Sequence, residues 1–188
     1  MKTKSLTNQV RIIAGQWRSR KINFPDMVGL RPSSDRVRET LFNWLMNEIS
    51  GAHCLDLFAG SGILGLEALS RGATRVVAVD GSAIVIKALR QNAAILATDK
   101  LHCIQATWPT VIKQLKGPFD IVFLDPPFGQ GLIEGCCAGL VENNLLNSNA
   151  WIYVEMEIST VLPKFPENWE LFREMKTQQV RVLLFRRV

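Results

Sequence analysis

A chain of 188 residues, 47% of them hydrophobic, is long enough to bury the core of one α/β domain with an appendage and too short for two independent domains. Cys54, Cys103, Cys136 and Cys137 lack Cys-x-x-Cys spacing, and neither they nor His53 and His102 make a zinc pattern, which argues for buried thiols in a reducing cytoplasm and against a disulfide framework or a metal site. The net charge of +5 lies wholly in residues 1–50, where nine Lys or Arg face four acids while the rest of the chain carries thirteen of each sign, so this end suits a polyanionic partner.

Residues 1–9 are polar and read as a mobile tail; no apolar signal-peptide core or bilayer-length stretch occurs, so a soluble, cytoplasmic protein is expected. Residues 10–32 read as a basic β-hairpin and connector. Val10 to Ala14 is apolar apart from Arg11, and Gly15 to Ile22 carries Arg18, Arg20 and Lys21 around Trp17. That indole could stack on a base or close a small satellite core. Asn23 to Leu30, with Pro25 and Gly29, reads as irregular. Asp35 to Ile49 has helical spacing, with Ser33 or Ser34 as N-cap and Arg36 and Arg38 on the first turn.

Cys54 to Phe58, Gly60-Ser61-Gly62 and the periodic Leu64, Leu66, Ala68 and Leu69 read as strand, tight turn and helix, the first unit of a nucleotide-binding sheet. Glycine at 60 and 62 lets the backbone turn sharply beside a ligand, and Gly65 lets the helix approach the strand. Asp56, inside the apolar strand, is expensive unless something cationic or hydrogen-bonding meets it. Asp80 closes the next apolar run, Val76 to Val79, at the place of an acid that holds ribose hydroxyls. A nicotinamide enzyme explains Asp80 but does not require Asp56, which suits a ligand carrying an amino group.

Further on, Ser82 to Leu96 is helical, Leu101 to Gln105 a strand, Val111 to Leu115 a helix, and Phe119 to Leu124 a strand of the buried parallel type. Asp125-Pro126-Pro127-Phe128 then holds the backbone rigid. Leu132 to Val141 returns as a helix, Trp151 to Met156 as a strand, and Glu170 to Arg173 with Val180 to Arg186 as an antiparallel pair. The βαβα order predicts a parallel sheet with right-handed crossovers and a ligand at the strands' carboxyl ends.

Asp56-x-Phe58-x-Gly60-x-Gly62, Asp80 and Asp125-Pro-Pro-Phe128, in that order, resemble the S-adenosylmethionine-dependent methyltransferases that modify exocyclic amines. Arg11-Ile-Ile-Ala-Gly-x-x-Arg18-Ser-Arg20 and Arg31-Pro-Ser-Ser-Asp-Arg36-Val-Arg38-Glu-Thr-Leu-Phe resemble the bacterial methyltransferases of a guanine 2-amino group in small-subunit (16S) ribosomal RNA. The likeness runs from Val10 to nearly the end of the chain. It implies a Rossmann-like α/β fold with a seven-stranded, mostly parallel sheet, helices on both faces and an antiparallel C-terminal strand, with residues 33–188 as the catalytic domain.

The resemblance further implies that Asp56, Phe58, Gly60, Ser61, Gly62, Asp80 and Ala106 bind S-adenosylmethionine. Asp125 and the Pro126 carbonyl would accept the amine N–H groups, Pro127 would stiffen the loop, and Phe128 would stack on the base. Arg11, Arg18, Arg20, Lys21, Arg36 and Arg38 would meet phosphates of ribosomal RNA or a 30S particle, and a monomer is expected. Gln105-Ala106-Thr107 departs from the pattern, because no acid stands there to hold the adenine amino group. A DNA adenine-N6 or cytosine-N4 methyltransferase and a non-catalytic RNA-binding assembly factor are the rival readings.

Overall fold

The computed structural model describes residues 7–27 and 32–188. An antiparallel ladder of β1 (Thr7–Arg11) and β2 (Lys21–Pro25) leads to α1 (Asp35–Trp44). The chain then alternates through β3 (His53–Asp56), α2 (Ile63–Ser70), β4 (Arg75–Asp80), α3 (Ala83–Ile95), β5 (Leu101–Gln105), a 3-10 turn (Thr110–Gln114), β6 (Phe119–Leu124), α4 (Leu132–Glu142), β7 (Leu146–Glu157), β8 (Trp169–Lys176) and β9 (Val180–Arg187). Seven of these strands form one sheet in the order β5-β4-β3-β6-β7-β9-β8. The first five pair in parallel, and β9 runs antiparallel between β7 and β8.

Side chains alternate across a strand, so each central strand feeds two cores. Cys54, Val76, Ala78, Phe123 and Tyr153 join the face covered by α1, α2 and α3, whereas Leu55, Val77, Val122 and Ile152 join the face covered by α4 and the 3-10 turn. This alternation puts Asp56, Asp125 and Glu155 on one face. Each lies two residues beyond Cys54, Phe123 or Tyr153, at the carboxyl ends of neighbouring strands. From β3 the chain winds outward to β5 and then crosses back to β6, so the topological switch point lies between β3 and β6.

The N-terminal ladder is docked rather than appended. Ile12, Ile22 and Phe24 are buried. The Glu67 carboxylate accepts the Ile13 and Ala14 N–H groups at 2.8 and 3.0 Å, Ser70 Oγ accepts the Trp17 N–H at 3.0 Å, and the Asn92 amide exchanges two bonds with the Asn23 backbone. Trp17 is half-buried and packs against the core on the face covered by α1, α2 and α3.

Several boundaries differ from expectation. Residues 7–9, assigned to a tail, lie in β1, and Asn23 to Pro25, assigned to an irregular connector, lie in β2; the remainder of the tail, 1–6, and the connector residues 28–31 lie outside the described residues. Polar composition concealed β1 because its partner is another part of the same appendage. Helix α1 stops at Trp44, and the apolar residues that extended it, Leu45 and Ile49, are buried from a turn instead. The short helix expected at 111–115 is a 3-10 turn, and β7 and β8 are longer than their apolar runs because backbone pairing continues past them, from Leu146 beside Phe119 of β6 at one end of β7 and through Lys176 beside Arg181 of β9 in β8.

Candidate active site

Strand β3 ends at Asp56, and the backbone reverses through Gly60 (φ +49°) and Gly62 (φ +75°) into α2. At Gly62 a Cβ would stand 2.1 Å from Leu89 Cδ2, so any other residue would have to displace that buried leucine of α3 as well as adopt a positive φ. Gly65 brings α2 onto the strand, and its N–H donates to Asp56 Oδ2 at 3.1 Å. Asp80 ties the two turns together: Oδ2 accepts the Gly60 N–H at 3.1 Å and Oδ1 the Ser82 N–H at 2.8 Å.

One cavity of about 1520 Å³ spans the switch point. Asp56, Phe58, Gly60, Ser61, Asp80 and Ala106 line it together with Asp125, Pro126, Pro127 and Phe128, and Arg36 stands on its exposed rim. Gly62 is set back from it and shapes the turn. Ser34 caps α1 by accepting the Val37 N–H, which frees Ser33 to enter the cavity. There Ser33 Oγ lies 2.9 Å from Glu155 Oε2 and 3.4 Å from Asp125 Oδ2, and the Tyr153 hydroxyl donates to Glu155 Oε2 at 2.5 Å.

These acids are electrostatically expensive. Burial, partly offset by the Gly65 N–H and reinforced by the Asp80 charge, pushes Asp56 up to about 7. Burial and the neighbouring Glu155 and Asp56 charges push Asp125 well above the usual carboxylate range, and the Ser33 hydroxyl pulls it back. No group of three or more His, Cys, Asp or Glu among the described residues is placed to hold a metal.

The sequence profile described as Conserved hypothetical protein 95 matches residues 10–186. Ribosomal RNA small subunit methyltransferase D of Escherichia coli K12 is 46% identical over 181 residues, which cover 96% of this chain and 91% of that one. The chain belongs to the ribosomal RNA small subunit methyltransferase D family. The Haemophilus influenzae member is 44% identical, with 98% of this chain and 97% of that one covered. The solved Escherichia coli structure of yhhF aligns with a TM-score of 0.89 at 47% identity, covering 96% of this chain and 98% of that one.

In this family member the basic residues singled out from the sequence separate into groups. Arg11, Arg18, Arg20 and Lys21 are exposed on the N-terminal ladder and its loop, away from the cavity lining, and Arg36 is at the rim. Arg38 is a correction. It is fully buried, donating to the Ser33 and Arg11 carbonyls, to Asp35 and to Glu67, and has no surface to offer a phosphate.

Sequence reasoning missed Ser33, Tyr153 and Glu155, as well as the turn from Lys176 to Val180, which forms part of the cavity wall. A carboxylate inside the apolar run Trp151 to Met156 was the available signal for Glu155, the same signal that drew attention to Asp56.

Asp56 carries a pH-dependent penalty that can be measured without ligand. Its folded-state value of about 7 exceeds the ordinary aspartate value of 3.8, so between the two the folded protein holds a proton that the unfolded chain releases. The penalty is absent below the unfolded value, grows as pH rises, and is complete above about 7. Asp56→Asn keeps an acceptor for the Gly65 N–H and removes the charge. Its Tm should therefore gain on the parent between about pH 4 and pH 7, ending a few °C higher in scanning calorimetry. A constant Tm difference across that window would contradict this.

Proposed function

We propose that this protein transfers a methyl group from S-adenosylmethionine to the exocyclic 2-amino group of a guanine in 16S ribosomal RNA, during or after 30S assembly, acting as a cytoplasmic monomer. The observation that carries the reading is the single cavity joining the rigid Asp125–Phe128 run to Asp56, the Gly60 turn and Asp80. The names of the close relatives support ribosomal RNA as substrate.

The cavity fits the cofactor chemically. Asp56 is a buried acid that an ammonium group would relieve, Asp80 is oriented by two backbone N–H groups and keeps lone pairs for hydroxyls, and Phe58, Ala106 and Trp108 offer a wall for a purine. Bound there, the cofactor supplies an electrophilic methyl on a sulfonium. The guanine amine is a poor nucleophile because its lone pair is delocalised into the ring. Asp125 and the Pro126 carbonyl would accept its two N–H groups and favour the pyramidal nitrogen whose lone pair is free, an effect that strengthens as positive charge develops. Phe128 is 48% exposed at the cavity, as a stacking platform must be. Arg18, Arg20, Lys21 and Arg36 would position the RNA through phosphates.

Methylation assays on stripped small-subunit RNA, assembled 30S particles and duplex DNA test the proposal. Label is expected on guanine N2 in one or both RNA substrates; label in DNA alone, or in none of the three, overturns it. Phe128→Ala should raise KM for RNA by about 5- to 100-fold, the range of base–aromatic stacking, with cofactor affinity unchanged by calorimetry.

A further inference from the structure

Ser33 lies between two carboxylates, and a hydroxyl has one proton to donate and lone pairs to accept with. With 2.9 Å to Glu155 Oε2 and 3.4 Å to Asp125 Oδ2, it can donate to only one of them. The chain is fully satisfied when the pair holds one proton, in either of two arrangements. In the first, Asp125 is protonated and donates to Ser33, which donates to Glu155. In the second, Glu155 is protonated and donates to Ser33, which donates to Asp125. Tyr153 OH donates to Glu155 Oε2 in both.

We propose that Ser33 is a relay through which Asp125 hands the pair's single proton to Glu155 when an amine docks, leaving Asp125 ionised as acceptor. The inference rests on the methyltransferase reading above and adds positioning roles for Ser33 and Glu155. Amine N–H groups arriving at Asp125 favour its ionised form. The Asp125 proton moves to Ser33 Oγ as the Ser33 proton moves to Glu155 Oε2, so no net charge enters or leaves the buried site. As the nitrogen lone pair forms the bond to the methyl carbon, the methyl–sulfur bond would break with its electron pair staying on the sulfur of a neutral thioether; one N–H proton then passes to Asp125 and from there to water in the cavity.

The surroundings favour a shared proton. Facing the pair are Asp56 at the end of β3, Tyr153 on β7 and Ser33 ahead of α1, none of them cationic; the buried Arg38 guanidinium bonds to the Ser33 and Arg11 carbonyls, Asp35 and Glu67 rather than to the pair, and Arg36 on α1 and Lys176 on β8 are exposed on the cavity rim. Two unpaired anions at this depth are costly. Burial raises Glu155 while Tyr153 and Ser33 lower it, and Asp125 is raised by burial and then by the Glu155 charge.

Single-turnover rates of the parent, Ser33→Ala, Ser33→Thr and Glu155→Gln over about pH 5 to 9.5 test the relay. Loss of the Ser33 donor should make Asp125 harder to ionise, so Ser33→Ala runs about 10-fold or more below the parent near pH 6.5 and recovers near pH 9. Its acid limb moves up in pH. Glu155→Gln fixes a neutral donor to Ser33, the state that protonated Glu155 has in the reacting complex, so its acid limb stays close to the parental one, and Ser33→Thr restores the parental profile. The ¹³C carboxyl shift of Asp125 in the ligand-free protein, where Glu155 is the anion, should titrate higher in Ser33→Ala and lower in Glu155→Gln, a readout independent of turnover. A Ser33→Ala limb that stays in place, a Glu155→Gln limb that rises with it, or ¹³C titrations that stay in place or move in the same direction would overturn the relay. A parent protein that methylates no RNA would instead count against the function itself.

Discussion

Asp125→Ala is expected to lower kcat for RNA methylation by about 10³-fold or more while leaving the dissociation constant for S-adenosylmethionine within about 3-fold, read by single-turnover kinetics and calorimetry. The asymmetry follows from position. Asp125 sits after β6, across the switch point from the Gly60 turn, with Ser33 as its hydrogen-bonding neighbour and Glu155 on the other side of that hydroxyl; the groups assigned to the cofactor, Asp56 and Asp80, take their own bonds from Gly65, Gly60 and Ser82. Removing the Asp125 carboxylate therefore takes away the acceptor for an amine without dismantling the turns. Asp125→Asn, which keeps an acceptor oxygen and loses the charge, should fall between the parent and alanine. Equal loss of cofactor binding and turnover would show that Asp125 belongs to the cofactor's own site.

Arg38→Ala is expected to cost about 3–5 kcal/mol of stability, the range for breaking a buried ion pair, and so to lower Tm by about 6–20 °C. The guanidinium is 0% exposed and bonds to the Ser33 carbonyl at 3.2 Å, the Arg11 carbonyl at 3.0 Å and Glu67 at 3.5 Å. Its removal leaves two carbonyls short of a donor and reduces the partners of Glu67 to Arg71 and the Ile13 and Ala14 N–H groups. The cost falls where the N-terminal ladder meets α1 and α2. Arg18→Ala makes the contrast: on an exposed loop it should leave Tm nearly unchanged and weaken RNA binding with a shallower salt dependence. If Arg38→Ala behaved like Arg18→Ala, the buried network would not be what docks the ladder.

Much of the fold was legible because it is written in local patterns. The apolar run at β3, the glycines of the turn and the alternating strands and helices that follow announce a parallel sheet with its ligand at one edge, and the order of Asp56, Asp80 and Asp125 announces which edge. The misplaced end of α1 has a plain cause. Periodicity reports which side chains are buried, not the backbone angles that bury them, so Leu45 and Ile49 looked helical while packing from a turn. β1 is polar and short, and is a strand because β2 lies beside it.

By itself the sequence determined the alternation of strands and helices along the central part of the chain, the position of the glycine turn and the presence of a rigid acid after β6, since each depends on residues within a few positions of one another. Only the tertiary structure decided which charges face a ligand and which are held inside. Arg38 looked like a phosphate contact until Glu67, 29 residues on, was found beside it, and Ser33 looked like a cap until the sheet brought Asp125, 92 residues on, and Glu155, 122 residues on, within its reach. A charged or polar side chain takes its role from its partners, and strand order, not spacing along the chain, chooses them.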